Sequence, residues 1–328
     1  MNLNGVDLNE LTPDEQPAFP SMKKGRWLHL DGDTACYKVT YDDEVPLSKC
    51  LENFLDMTDY RRKMAGAEFL CIHLTGHDKG GRLSTSTVKK YQGNRDGKVK
   101  PKNLNPLRQI LLERHSDLIV FHENQEADDG MTQANHKAIQ NGERLLSVIM
   151  AEDKDLDMAQ GLHCDWNTFE INDVVGYGKI WMDDSGSTKK LKGFGTSFFW
   201  AQLLMGDSAD NIPGCEYIGG EVLEEFDPLK KPNPKRKPKK CGPGLAYKIL
   251  FDCNDDHEAL YRVLECYRSY YGDKYTYTSW TGQEITRTAS EMLLEQARLL
   301  WMRRVPDECP RVFFKEVLDN FIKESDEN

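Results

Sequence analysis

Long apolar runs are missing from this chain. Nothing approaches the roughly 18 consecutive hydrophobic residues that suggest a membrane-spanning helix, so no membrane partner is expected. The first residues are acidic and polar and do not read as a secretory signal, which makes a cytoplasmic setting the expectation. Nine cysteines are scattered without one Cys-x-x-Cys pair, which argues against a zinc knuckle and for reduced thiols. Positive charge is also in short supply, with 43 Lys and Arg against 54 Asp and Glu, a net of −11. Such acidity would argue against a nucleic-acid partner if charge were spread evenly. It is not: basic residues crowd into 82–102 and 230–240. There is no internal repeat, and low complexity is confined to 229–240.

What is present suffices for a proper core. The 328 residues, 39% of them hydrophobic, fit one large or two modest soluble domains. Strand-like runs at 27–30, 69–74, 117–122 and 145–150 alternate with helical spacing at 45–65, 104–115 and from 126 onward. That alternation predicts an α/β fold with a mainly parallel central sheet flanked by helices, its polar residues gathered at the strands' carboxyl ends. Residues 161–182 read as short strands or a hairpin, and from 196 the pattern turns helical, with helices at 244–251, 256–270 and 288–303. The expected organisation is an acidic arm at 1–25, an α/β core at 26–195 and a helical region at 196–328. Between 76 and 102 the hydrophobic pattern vanishes, which predicts a long exposed loop or loosely packed helices.

The acidic string Glu126-Ala127-Asp128-Asp129 lies between a strand and a helix, where carboxylates suit the helix dipole. One such cluster is an ordinary cap, but three more sets follow the same logic: Asp31, Asp153 with Asp155, and Asp207 with Asp210. Hard oxygen ligands without a histidine cluster favour Mg²⁺ or Mn²⁺ over zinc. So many carboxylates exceed the needs of one Mg²⁺ and fit two ions roughly 4 Å apart, the arrangement that clamps attacking and leaving oxygens in phosphodiester hydrolysis.

The strings LDGD (30–33), YQGNR (91–95), EADD (126–129), DKDL (153–156) and GDSADNIPG (206–214), in that order, resemble the flap endonuclease and 5′→3′ exonuclease superfamily, particularly its phage members and the 5′-nuclease domains of bacterial DNA polymerases. The resemblance implies a PIN-like version of the α/β fold and two Mg²⁺ (or Mn²⁺) held by Asp31, Glu126, Asp128, Asp129, Asp153, Asp155, Asp207 and Asp210. It implies DNA with a 5′ end or 5′ flap as partner, RNA–DNA hybrid as a further substrate, and a role in phage replication or host DNA degradation in the bacterial cytoplasm. The region 76–102 corresponds to the family's arch, so Arg82, Tyr91, Gln92 and Asn94 are expected to meet DNA there.

Three departures stand out. The family usually has Lys where this chain has Gln92, and Lys89, Lys90 and Arg95 are the nearby cations expected to take over its catalytic charge. Many relatives carry an aspartate at the end of the 69–74 strand, whereas this chain reads Leu74-Thr75-Gly76-His77-Asp78. The helix–turn–helix element after GDSADNIPG is interrupted and resumes at Cys241-Gly242-Pro243-Gly244. There Gly242, Gly244 and Lys248 are expected to hold duplex phosphates, with a bridging K⁺ in the family manner. The basic insert at 215–240, with Lys235, Arg236 and Lys237, is expected to add phosphate contacts.

Other readings remain open. Asp31-Gly32-Asp33 also suits a haloacid-dehalogenase-type phosphatase, although Ala35 stands where that family wants Thr or Val. Asp153-Lys154-Asp155 suits a toprim-type nuclease, which leaves the 126–129 and 207–210 carboxylates without a role. A structure-specific DNA-binding protein with a dead site is kept alive by Gln92.

Overall fold

The computed structural model describes residues 2–3, 6–7, 19–217 and 239–326. The central sheet is built from β1 (Lys23–Asp31), β2 (Ala67–Thr75), β3 (Ile119–His122), β4 (Ser147–Met150), β5 (Gly161–Cys164) and β6 (Ile171–Val174). Its spatial order is β3-β2-β1-β4-β5-β6, parallel throughout except for the β5–β6 edge. The helices that connect and cover it are α1 (Gly32–Thr40), α2 (Leu47–Met64), α3 (Leu104–Arg114) and α4 (Ala127–Gln140).

Period-two alternation divides the strands between two cores. Leu28, Leu30, Ile72, Leu74, Val148 and Met150 face one side, where Cys36, Phe54, Leu107 and Leu111 from α1, α2 and α3 close over them. On the other side Ile149 and Met131 join a second cluster that runs into the C-terminal helices. These are α5 (Thr196–Met205), α6 (Pro243–Leu250), α7 (Asp256–Tyr271), α8 (Ala289–Leu300) and α9 (Pro310–Asp326). Helix α5 is apolar nearly all round and buried from Thr196 to Leu204, as a helix enclosed by other helices must be. Its Trp200 stacks on Phe313 and Phe314 of α9.

The structure redraws several expected boundaries. β1 begins at Lys23, inside the segment expected to be an arm. Ile149, Leu156 and Phe199 share one core, so packing crosses the expected 195/196 boundary without a break. Two hairpins add to the reading: β7 (Lys179–Asp183) with β8 (Lys190–Phe194), and β9 (Tyr275–Thr278) with β10 (Glu284–Arg287). Helix α9 was not anticipated.

The expectation of an exposed or loosely packed 76–102 is corrected for its middle. A short helix spans Arg82–Thr85, and Arg82, Ser86 and Tyr91 are buried. The following strip is pinned from outside: the Thr87 and Val88 amides donate to Glu295 of α8, and Trp280 donates from its indole to the Ser86 carbonyl at 2.7 Å. The longest exposed run is 94–100, with shorter exposed stretches at 77–78, 83–84 and 89.

Candidate metal and nucleic-acid site

The parallel strands end together, and this places three of the four acidic sets at one edge of the sheet. Asp31 closes β1 and caps α1, accepting the Asp33 and Thr34 amides at 2.9 and 3.1 Å. Glu126 precedes α4, with Asp128 and Asp129 in its first turn. Asp153 follows β4 and caps a 3₁₀ turn at 154–158, accepting the Asp155 amide at 2.9 Å.

The fourth set arrives on a tight loop whose sequence explains itself. Gly206 and Gly214 both have positive φ, and a Cβ on either would fall 2.3 Å from opposing backbone. Reciprocal bonds between Asp207 and Ile212 close the loop, and Asp207 Oδ1 accepts the Ala209 and Asp210 amides. The 91–95 string clasps it: the Gln92 amide donates to the Asp210 carbonyl at 2.8 Å, and Asn94 Nδ2 donates to the Ser208 carbonyl at 2.7 Å. The 91–95 and 206–214 strings are two halves of one joint.

The carboxylates crowd one another, and their protonation records it. Burial first, then Asp33 and Asp153, raise Asp31 to about 6. Asp128 is pushed well above the ordinary range by burial and by Asp153, Asp31 and Glu126. Asp153 is open to solvent yet closely surrounded by protein atoms; it too is raised, by that desolvation and by Asp210 and Asp207. Burial and Asp153 lift Asp155 to about 8. Mutual repulsion of this kind is relieved by protonation or by a cation. Among the described residues no three carboxylates bring one oxygen each to within 4.8 Å of one another, so the cluster is spread rather than collapsed on a point.

A protein cation already sits in the cluster. Lys154 Nζ donates to Asp155 at 2.9 Å and to Asp207, and it holds Asp207 below its usual value although burial opposes this. The ammonium shows that the oxygens of Asp155 and Asp207 converge well enough to share one positive charge.

Asp129 has a different fate from its neighbours. Its carboxylate is fully buried and gripped in a fork by Arg82, at 2.7 and 2.9 Å, and it also accepts the Arg303 amide at 3.0 Å. Arg82 itself has no exposed surface and donates further to the Leu299 and Trp301 carbonyls. The reading of Arg82 as a DNA contact is therefore corrected: it is an internal counter-ion tying the acidic set to α8. Asp129 is likewise turned from open ligand to ion-pair partner. Tyr91, expected as a stacking surface, is buried; its hydroxyl donates to Asp210 at 2.9 Å and reaches Glu126 at 3.1 Å.

The cations named in place of the family lysine are distributed unevenly. Lys90 pairs with Asp96 away from the cluster, Lys89 is exposed, and Arg95 binds Asp210 at 2.7 Å. The cation that reaches the centre was not anticipated. Lys79 Nζ donates to Gln92 Oε1 and lies 3.5 Å from Glu126, while Gln92 Nε2 donates to Asp210 at 2.9 Å. The only signal for Lys79 was its place in the Gly-rich stretch after β2. At the end of β2 itself the relatives' aspartate has no counterpart: Thr75 accepts the Ala127 amide, and Asp78 caps the turn to Gly81.

Beside this edge opens a cleft of about 620 Å³ whose walls carry Lys79, Arg95, Lys100 and Arg108 against the single acid Asp33, which Arg108 pairs. On the opposite flank a second groove, of about 310 Å³, runs from Lys154 and Asp207 to Gly242 and Pro243. Gly242 is the N-cap of α6, and Lys248 is exposed on that helix. A Cβ on Gly242 or Gly244 would meet nothing within 4 Å, so packing does not require glycine there; what it provides is open access to the backbone amides. The interrupted element is rejoined: the Cys241 amide donates to the Cys215 carbonyl, and Glu216–Tyr217 pairs antiparallel with Lys239–Lys240. Lys235, Arg236 and Lys237 lie outside the described residues.

No protein-family model and no curated protein matches the sequence. Among solved structures the chain is similar to the 5′-exonuclease of phage T5 with divalent zinc bound, at 15% identity over 91% of this chain and 97% of that one, with a TM-score of 0.47. It is also similar to a T5 D15 flap endonuclease complex with DNA and metal ions, at 15% identity, 84% and 99% coverage and a TM-score of 0.42. A third similar structure is T5 D15 protein co-crystallised with metal ions, at 15% identity, 84% and 100% coverage and a TM-score of 0.41.

Proposed function

We propose that this protein is a divalent-metal-dependent nuclease that hydrolyses DNA phosphodiester bonds at 5′ ends or 5′ flaps. The observation that carries the reading is the convergence, at the carboxyl edge of a parallel sheet, of carboxylates from three separated segments whose protonation is raised by burial and mutual repulsion, with the Asp207–Asp210 loop brought alongside. Asp31, Glu126, Asp128, Asp153, Asp155, Asp207 and Asp210 would hold two Mg²⁺ or Mn²⁺. When bound, such ions lower the pKa of a water and stabilise charge on a leaving oxygen.

The remaining work falls to the chain itself. Lys79, held by Gln92 and Glu126, supplies the positive charge beside the scissile phosphate. Arg95, Lys100 and Arg108 line the adjoining cleft and draw the strand toward the carboxylates. Gly242, Gly244 and Lys248 grip the duplex behind it, with K⁺ at the turn, and the basic insert adds phosphate contacts. Cleavage of RNA–DNA hybrid, and a place in phage DNA turnover in the bacterial cytoplasm, belong to the same proposal. The phosphatase alternative is disfavoured because Asp33 is engaged by Arg108 and the Thr75 amide.

A metal-dependent assay on 5′-labelled duplex and flap DNA tests the reading. Cleavage should require Mg²⁺ or Mn²⁺ and nearly vanish in Asp153→Asn. Full cleavage by that variant at saturating Mg²⁺ would overturn the assignment.

A further inference from the structure

Below the carboxylate edge, on the sheet face that α4 covers, a row of imidazoles crosses three strands. His29 Nδ1 lies 3.0 Å from His73 Nε2, and His73 Nδ1 lies 2.8 Å from His122 Nε2. Cys71 Sγ approaches the same His73 Nε2 at 3.3 Å. Among the described residues, His29, Cys71 and His73 form the one group whose ligand atoms all lie within 4.8 Å of one another. Polar residues in the body of a sheet are costly unless partnered, and nothing in the proposed nuclease chemistry uses these.

Two features match a metal site. Donor spacing is the first: bonds of about 2.1 Å to nitrogen and 2.3 Å to sulfur put neighbouring donors in a tetrahedron roughly 3.3–3.6 Å apart. The observed 3.0 and 3.3 Å need only a slight opening. The second is the outer support. His122 Nε2 faces the far nitrogen of His73, and its Nδ1 accepts from the Gln125 side-chain amide at 3.1 Å, while Gly130 of α4 sits so close that a Cβ would fall 2.2 Å from the His122 ring. An imidazole whose second nitrogen is held in this way is fixed in orientation.

We propose that His29, Cys71 and His73 form a second metal site, separate from the carboxylates, that takes one zinc-like dication with a water as fourth ligand. Two nitrogens and a sulfur select a borderline-soft ion and reject Mg²⁺. On binding, the Cys71 thiol loses its proton to solvent and the thiolate bonds the metal, while His73 moves its proton from Nε2 to Nδ1, His122 accepts there, and the Gln125 amide turns to present its oxygen to His122 Nδ1–H. His29 and Cys71 are half-buried, and the next pleat is the stacked pair Trp27 and Phe69, 44% and 41% exposed, so the site is reached from the open end of the sheet. The ion would fasten β1 to β2 at mid-strand.

Co²⁺ titration of the metal-stripped full-length protein tests this without any cleavage readout, so its outcome is independent of the nuclease reading. A sulfur-to-cobalt charge-transfer band should saturate at one equivalent, persist in Asp153→Asn and disappear in Cys71→Ser. Zn²⁺ should raise Tm further in wild type and in Asp153→Asn than in Cys71→Ser and His29→Gln, where only the carboxylates remain to bind it. Absence of the band in wild type, or its survival in Cys71→Ser, would overturn the proposal. Should His29→Gln fail to fold, the cysteine variant still decides.

Discussion

Arg82 and Asp129 meet fork to fork, at 2.7 and 2.9 Å, with neither side chain exposed to solvent. Removing one partner of such a pair leaves a charge buried and alone, which costs about 3–5 kcal/mol. Asp129→Asn should therefore lower stability by that order with or without metal. Asp153→Asn, which relieves repulsion, should leave metal-free stability unchanged or raised. Denaturant unfolding of both variants, with and without Mg²⁺, separates the roles. An Asp129→Asn protein as stable as wild type would mean that Asp129 is a ligand rather than a strut.

The raised carboxylates give a pH dependence whose sign is fixed. Asp31 and Asp155 bind protons more tightly folded, at about 6 and about 8, than at the ordinary value of 3.8. The buried histidines, lowered from 6.5, oppose this below that pH, so the metal-free protein should lose stability as pH rises from about 6.5 toward 8, where folding holds Asp155 charged against its preference. Stabilisation by Mg²⁺ should grow over the same window. Unfolding midpoints across that range check it, and a flat metal-free profile would refute the crowding.

Lys79 should matter more than any cation at 89–95. With Lys79→Ala, turnover should fall by roughly 10²-fold, the scale for losing one preorganised donor. Lys90→Ala should change little, since Lys90 pairs with Asp96. Gln92→Ala should show an intermediate loss through release of Lys79 and Asp210. Single-turnover cleavage rates for the three decide, and equal mild losses would point to general phosphate attraction.

Lys154 occupies Asp155 and Asp207 as a resident cation. Lys154→Ala should lower Tm without metal and enlarge the rise in Tm on adding Mg²⁺, because the two carboxylates are then free for the ion. An unchanged metal response would show that Lys154 and the ion do not compete.

Replacing Lys235, Arg236 and Lys237 with Ser should weaken duplex binding and flatten its salt dependence, by roughly 0.9 in log–log slope for each phosphate no longer neutralised. Turnover at saturating DNA should hold. An unchanged slope would assign the insert to a spacer or docking role.

Much of the α/β half was legible because its strands obey period two and its helices period 3.6. Leu28 and Leu30 against His29, or Leu107 and Leu111 on one face, speak for themselves. The burial of Arg82 and Tyr91 was not legible. Their neighbours are Gly, Ser, Thr and Lys, a solvated composition, and the partners that bury them, Asp129, Leu299 and Trp301, lie far along the chain. The aligned imidazoles were hidden for the same reason: His29, His73 and His122 become neighbours only through strand register. Lys79 was hidden because the family position falls on Gln92, whereas the charge arrives from the loop after a different strand. The β9–β10 hairpin, with Tyr275 and Tyr277 among Thr and Lys, offered alternation too short to weigh against flanking helices.

The backbone bond from Cys241 to Cys215, with the two-residue ribbon beyond it, makes a neck where the chain departs at Tyr217 and returns at Lys239. The spacing between the Asp207 loop and α6 is consequently fixed at that neck and not by the number of residues between its two strands.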